Sequence, residues 1–312
     1  MASKQRVICG LSVAAVWLTA IFLLPIWGLI GLVAISSIIC LYEYCTMLKQ
    51  KEYELPFKTM AGLAILYFVL KYLLLFEGYL ALGALSEGVL PCIIAVLFFK
   101  VLLDARLKRP MGTAALAVAG FFYIPFLLSY FMDVTLMAAR VTAGSVAPGA
   151  ITDYSAGIFA SFFLALITKM SDTGGYFIGS AFGKHKMCPR LSPGKSWEGT
   201  IGGYAFSLIA AGLVLLCAAL FPSAKFLAPF GLVLEHPLLI VAYFVLVLIV
   251  VTVAIWGDLL ESLFKRRCGV KDSSALFPAM GGFFDTFDSV IFIPAITIAY
   301  IKLITFVLLV IG

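Results

Sequence analysis

The sequence predicts an all-α, polytopic integral membrane protein, a single membrane-embedded domain over residues 1–312 with its N-terminus in the cytoplasm. Three observations predict it. Hydrophobic residues fill 63% of the positions and charged residues only 12%, against about 25% charged in ordinary soluble domains. Mean hydropathy is +1.12, so the bilayer must act as solvent for most of the chain. The apolar residues also come in long continuous runs without period-two alternation, and in lipid such runs satisfy their backbone groups as helices.

Runs long enough to cross a hydrocarbon core of ~30 Å fall at 7–24, 26–46, 59–76, 88–104, 111–131, 155–171, 199–221, 237–257 and 287–311. About nine transmembrane helices are therefore expected. The first run follows Lys4 and Arg6 and resembles the apolar part of a signal peptide. A second run begins at Ile26 with no convincing small-residue cleavage site between them, so a retained first span is expected. The run at 155–171 is short, and Lys302 interrupts the last.

Basic residues set the orientation. With the N-terminus inside, the cytoplasmic segments hold Lys4, Arg6, Lys49, Lys51, Lys58, Arg106, Lys108, Arg109, Lys184, Lys186, Arg190, Lys195, Lys265, Arg266, Arg267 and Lys271. The outer segments hold only Arg140 and Lys225, while Lys71, Lys100, Lys169 and Lys302 lie within spans. One missing span would scramble this alternation. A net charge of +6 spread over such loops suits anionic inner-leaflet lipid; no nucleic-acid partner is expected. The seven cysteines are odd in number and form no CxxC pair, which argues against a disulfide framework or a zinc site.

Two inside connections stand apart, 172–198 and 258–288. The second holds Asp258 at the end of one span, Asp285 and Asp288 at the start of the next, and a Gly281-Gly282 pair between. Ionisable groups at membrane depth cost roughly 2.5–3.5 kcal/mol each on insertion scales and tend to be functional and paired. Carboxylates from two neighbouring helix ends suit a hard divalent cation; Mg²⁺ typically takes one or two of them plus substrate phosphates. Lys265, Arg266 and Lys271 would supply the positive charge that phosphoryl chemistry needs. The rival reading, helix-end charges pairing locally at the water interface, is outweighed by three aspartates around a diglycine turn.

The first connection runs Ser171-Asp172-Thr-Gly-Gly-Tyr-Phe through Lys184-His185-Lys186 to Ser192-Pro193-Gly194-Lys195-Ser196-Trp197-Glu198. Glycine-rich backbone beside lysines can cradle phosphates. Gly175, Gly179 and Gly183 also recur every four residues, the spacing for close helix packing, and both readings stand. His185 alone reads as a solvated loop histidine.

These segments resemble the phosphatidate cytidylyltransferase (CDP-diacylglycerol synthase) family. Ser262, Lys265-Arg266, Lys271-Asp272, Pro278, Gly281-Gly282 and the closing Asp285 and Asp288 are similar to its signature. Asp172-Thr-Gly-Gly-Tyr-Phe, Phe-Gly-Lys184-His185-Lys186 and Ser-Pro-Gly-Lys195-Ser-Trp-Glu198-Gly are similar to its other cytoplasmic motif. The resemblance implies that CTP and phosphatidate give CDP-diacylglycerol and pyrophosphate, that Mg²⁺ is required, and that the protein is a homodimer. The short N-terminus and compact length suggest a bacterial-type inner (plasma) membrane protein, and the basic loops lead to the expectation of a site on its cytoplasmic face. Within it, Asp258 and Asp285 are expected to hold metal, with Asp288 beside them. Lys265, Arg266 and Lys271 are expected on phosphate. Asp172, Lys184, Lys186, Lys195 and Glu198, with Ser262, Asp272, Gly281 and Gly282, are expected to line the substrate site. Two positions depart from the pattern: Met280 stands where the family has His, and Thr286 where it has Arg. Methionine cannot relay a proton or donate a hydrogen bond as histidine can, which puts rate and substrate preference in question. A CTP-dependent polyprenol or phytol kinase, a transporter and an inactive relative remain as alternatives. A transporter should carry ionisable groups near mid-bilayer, whereas the charges here gather at one face.

Overall fold

A computed structural model of the chain describes residues 19, 24–76, 83–143, 153–221, 237–276 and 281–311. Most of the expected first span, Lys225 and Met280 lie outside the described residues. The described elements are α1 (Ile26–Lys49), α2 (Phe57–Phe76), α3 (Gly83–Leu102), α4 (Pro110–Phe121), a π-helical turn (Phe122–Phe126), α5 (Leu127–Ala143), α6 (Ser155–Phe182), β1 (Lys186–Cys188), β2 (Ser192–Ser196), α7 (Trp197–Leu220), α8 (Pro237–Cys268), α9 (Phe284–Phe287) and α10 (Ile293–Ile311). The fold is that of an all-α membrane protein. Among the described residues, five stretches are long and apolar enough to cross a bilayer: Ile26–Lys49, Phe57–Leu75, Pro110–Arg140, Trp197–Leu220 and Leu238–Cys268. Gly88–Leu102 and Ile293–Val307 are shorter apolar helices.

The chain divides into two compact units. The first takes in residues up to Met132 and Phe264–Ile291. Its core is aromatic. Tyr67 of α2 is fully buried and meets Phe121 edge-on at a centroid distance of 6.2 Å. Tyr44 of α1 donates to the Leu116 carbonyl at 3.0 Å and stacks on Phe264 at 5.0 Å. Pro110 opens α4 at a position where a missing N–H costs nothing. Pro125 falls in the wide π turn, which absorbs its missing donor and lets the apolar run continue.

The second unit takes in Asp133–Val146, Ile151–Leu263 and Phe292–Gly312. Its centre is a glycine seam between α6 and α7. A Cβ on Gly174 would lie 2.5 Å from the Gly202 carbonyl oxygen, and one on Gly199 would lie 3.1 Å from the Gly179 Cα. Only glycine permits backbones this close. Ser207 Oγ donates to the Ile167 carbonyl across the same pair at 3.0 Å. Tyr243 of α8 is fully buried and donates to the Ala211 carbonyl at 3.0 Å. Tyr300 of α10 donates to the Ala242 carbonyl at 2.9 Å.

Three local expectations are corrected. The connection expected from residue 172 is helical through Phe182, so Asp172 is a mid-helix residue of α6; the seam leaves that backbone no room for a loop. The connection expected from residue 258 is helical through Cys268. Charged residues mark where a chain leaves lipid, and a helix need not end there. At 32 residues α8 is about 48 Å long, well beyond a hydrocarbon core of ~30 Å. Ser192-Pro193-Gly194-Lys195, whose Pro-Gly pair reads as a turn, lies in strand β2, paired antiparallel with β1 through Lys186↔Ser196 and Cys188↔Ser192. The turn lies at 189–191, closed by Leu191 N–H on the Cys188 carbonyl at 3.1 Å. Pro193 is tolerated because a two-stranded ribbon consists of edges.

Candidate active site

Two clusters of charged side chains emerge, one in each unit. In the first unit, α8 ends in a Schellman cap: Gly269 has φ +83, its N–H meets the Arg266 carbonyl at 3.1 Å, and Val270 N–H meets the Lys265 carbonyl at 3.0 Å. Lys265, Arg266 and Arg267 fill the last turn, where cations complement the helix dipole. The chain then folds back so that Asp285, in the first turn of α9, accepts from both sides. Its Oδ1 takes the Lys265 ammonium at 2.7 Å. Its Oδ2 accepts from Ser273 N–H at 3.0 Å, Ser273 Oγ at 3.1 Å and Gly282 N–H at 2.7 Å. Gly281 has φ +91, a left-handed conformation that favours glycine, and a Cβ there would run into Asp285 Oδ2. Asp288 is buried and accepts from Ser289 N–H at 2.5 Å and Ser289 Oγ at 2.9 Å.

A carboxylate that sequence reasoning missed closes this cluster. Glu43 of α1 is 2% exposed. Its Oε1 accepts from Ser274 Oγ at 2.5 Å and Phe283 N–H at 3.0 Å. Its Oε2 accepts from Ser273 Oγ at 2.9 Å and Phe284 N–H at 2.7 Å. The available signal was an acidic residue inside an apolar run.

In the second unit, Asp258, Glu261 and Ser262 rise along one face of α8, and Lys265 continues the row at the next turn. Lys195, carried by β2, places its ammonium 2.7 Å from Asp258 Oδ2, and Ser262 Oγ lies 3.4 Å from Asp258 Oδ1. Glu261 is fully buried, with a carboxylate oxygen within 4.8 Å of one on Asp258. Ser196 caps α7 by accepting from Gly199 N–H at 3.1 Å. Glu198 sits in the first turn of α7 and meets His185 Nδ1 at 2.6 Å, so this histidine is tethered rather than merely solvated. Gly179 lies in the seam with α7, and a Cβ on Gly183 would strike the Gly179 carbonyl and Ser196 Oγ. Both glycines are therefore at packing positions.

Lys265, Gly281, Gly282 and Asp285 thus meet in one unit, and Lys195, Asp258 and Ser262 in the other. Asp172 is exposed and pairs within its own helix with Lys169 at 3.2 Å. Lys184, Lys186, Arg266, Lys271 and Asp272 are exposed. Thr286, where the family pattern has Arg, turns its hydroxyl onto the Gly282 carbonyl at 3.4 Å.

Both aspartates expected to hold metal carry a lysine ammonium at 2.7 Å. Their surroundings are oxygen donors and amines, a set suited to a hard cation and to phosphate. Comparison with known proteins agrees with that chemistry. Residues 4–304 match the cytidylyltransferase family. The chain belongs to that family. A protein of Haemophilus influenzae named phosphatidate cytidylyltransferase is 30% identical over 290 residues, 92% of this chain and 94% of the relative. A Bacillus subtilis protein of the same name is 26% identical over 294 residues, 93% of this chain and 94% of its own. A Pseudomonas aeruginosa protein, also of that name, is 47% identical over 119 residues, 38% of each chain. Family membership makes the chain a CTP-dependent nucleotidyltransferase in a multi-pass membrane setting.

Proposed function

We propose that this protein transfers the cytidylyl group of CTP to phosphatidate, giving CDP-diacylglycerol and pyrophosphate for phospholipid synthesis. The observation that carries this reading is the lysine–carboxylate pairing at Asp258 and Asp285 in a chain that matches the cytidylyltransferase family over residues 4–304. The proposed metal ligands are Asp258 and Asp285, with Asp288 following Asp285 in the chain. The donors are carboxylate oxygens, which fits Mg²⁺. When bound, Mg²⁺ supplies charge neutralisation at the nucleotide phosphates.

An oxygen of the lipid phosphate attacks the α-phosphorus of CTP. The bond from that phosphorus to the oxygen bridging the β-phosphate breaks, and pyrophosphate leaves with the electron pair. No side chain need act as general base, because a phosphate monoester is already anionic at neutral pH. Lys265, Arg266 and Lys271 hold the triphosphate or the lipid phosphate by charge-assisted contacts. Asp172, Lys184, Lys186, Lys195, Glu198, Ser262, Asp272, Gly281 and Gly282 complete the substrate site. The proposed topology is about nine spans with a cytoplasmic N-terminus, and the proposed site is at the inner face of the plasma membrane, a reading supported by the basic residues of the expected cytoplasmic loops; a homodimer belongs to the same proposal.

The test is to incubate the detergent-purified protein with cytidine-labelled CTP, phosphatidate and Mg²⁺. A labelled liponucleotide and one pyrophosphate per turnover are expected. Labelled CDP with a phosphorylated alcohol, or no lipid-soluble label, would overturn the reading.

A further inference from the structure

We propose that Glu43 is a positioning residue for the metal-dependent transfer, holding Ser273, Ser274, Phe283 and Phe284 around Asp285 so that Asp285 presents its carboxylate to the cation. This rests on the proposed assignment of Asp285 to the metal. The four groups that donate to Glu43 come from two separate stretches of chain, Ser273 and Ser274 in one and Phe283 and Phe284 in the other. One carboxylate, anchored on α1, thereby ties the two stretches together. Two of those partners bear directly on Asp285. Ser273 lies 2.9 Å from Glu43 Oε2 and 3.1 Å from Asp285 Oδ2 through the same hydroxyl. That hydroxyl has one proton and serves one carboxylate at a time. Its backbone N–H stays on Asp285 throughout. Phe284 N–H, held by Oε2, belongs to the residue before Asp285. Glycine at 282 permits the approach, since a Cβ there would collide with Ser273 Oγ and lie 2.6 Å from Glu43 Oε2.

A carboxylate buried to this degree in an apolar helix is expensive and marks function by default. Its contacts end on donors that flank or hold the proposed metal ligand Asp285. Groups that orient a metal's ligands typically weaken metal affinity by about 10–100-fold when removed. A buttress for the fold alone would instead change how much protein is active and leave its affinity for the ion alone.

The experiment compares the wild-type protein with Glu43→Gln, which keeps the side-chain length but turns an amide N–H₂ toward two donors. The Mg²⁺ concentration for half-maximal turnover is expected to rise roughly tenfold, with a similar loss in Mn²⁺ affinity measured by electron paramagnetic resonance without CTP or lipid. An unchanged Mn²⁺ affinity and Mg²⁺ requirement, with only the active fraction reduced, overturns the proposal. If Glu43→Gln does not yield folded protein, Ser273→Ala decides in its place. That variant keeps Glu43 and its backbone contacts, removes the shared hydroxyl, and should shift both readings in the same direction by a smaller factor. Wild-type protein that makes no liponucleotide would count against the proposed reaction, while the Mn²⁺ titration would still decide the role of Glu43.

Discussion

Alanine at two glycines of one helix should move stability in opposite directions. Gly202 and Gly212 both lie in α7, ten residues apart. A Cβ on Gly202 would sit 2.5 Å from Ile178 Cβ and Cγ1 and 2.8 Å from the Gly174 carbonyl oxygen, whereas a Cβ on Gly212 meets nothing within 4 Å. Ordinary van der Waals contact begins near 3.4 Å, so Gly202→Ala must drive α6 and α7 apart by the better part of an ångström. The clash includes backbone, which no rotamer change relieves. Overpacking of a tight interior typically costs about 1–3 kcal/mol. Gly212→Ala has no such clash and gains about 0.5–1 kcal/mol from reduced backbone freedom in the unfolded chain. At roughly 2–4 °C per kcal/mol for chains of this order of size, the two variants should straddle the wild type by several degrees. The assay is the apparent thermal midpoint in one detergent at one scan rate, because unfolding of a membrane protein is commonly irreversible and only paired comparisons hold. Equal shifts of the same sign would refute the close approach of α6 and α7.

Asp258→Asn and Asp285→Asn should each lower liponucleotide formation on the order of 10²–10³-fold while the protein still elutes as a folded species in detergent; near-normal turnover in both would remove them from the metal site. Chelation by EDTA should abolish turnover and added Mg²⁺ restore it, and activity indifferent to EDTA would contradict a carboxylate-held cation. Gly281→Ala must place a Cβ residue at φ +91 against Asp285, at a cost of about 1–2 kcal/mol; an unaltered thermal midpoint and unaltered turnover would show that the turn relaxes freely.

Hydropathy alone located most of the helices. The runs at 26–46, 59–76 and 199–221 correspond to Ile26–Lys49, Phe57–Phe76 and Trp197–Leu220, because continuous apolar sequence leaves the backbone few alternatives in lipid. Helix ends were less legible where charge intervened. Asp172 and Asp258 read as boundaries, yet both helices run on, since a helix satisfies its own backbone on either side of the lipid boundary. The site was half legible. Lys265, Gly281, Gly282 and Asp285 sit within twenty or so residues and betray themselves by type and spacing. Glu43 does not, since its partners lie 230 to 241 residues downstream and no local pattern announces a contact of that range. Lys195 on Asp258 was similarly hidden: the Ile255 carbonyl that the same ammonium reaches lies 60 residues further along the chain. The lysines were visible as charge; which carboxylate each one would meet was not.

A rod of 32 residues is stiff, and α8 carries Asp258 and Glu261 on the same shaft that would be seated among the acyl tails. A diacylglycerol anchor also hangs its phosphate at the depth where such a shaft emerges. On the proposed reading, lipid and catalyst are then levelled by the same interface, and the substrate keeps its tails dissolved throughout turnover. The nucleotide would do the travelling, arriving from water at a surface already in register.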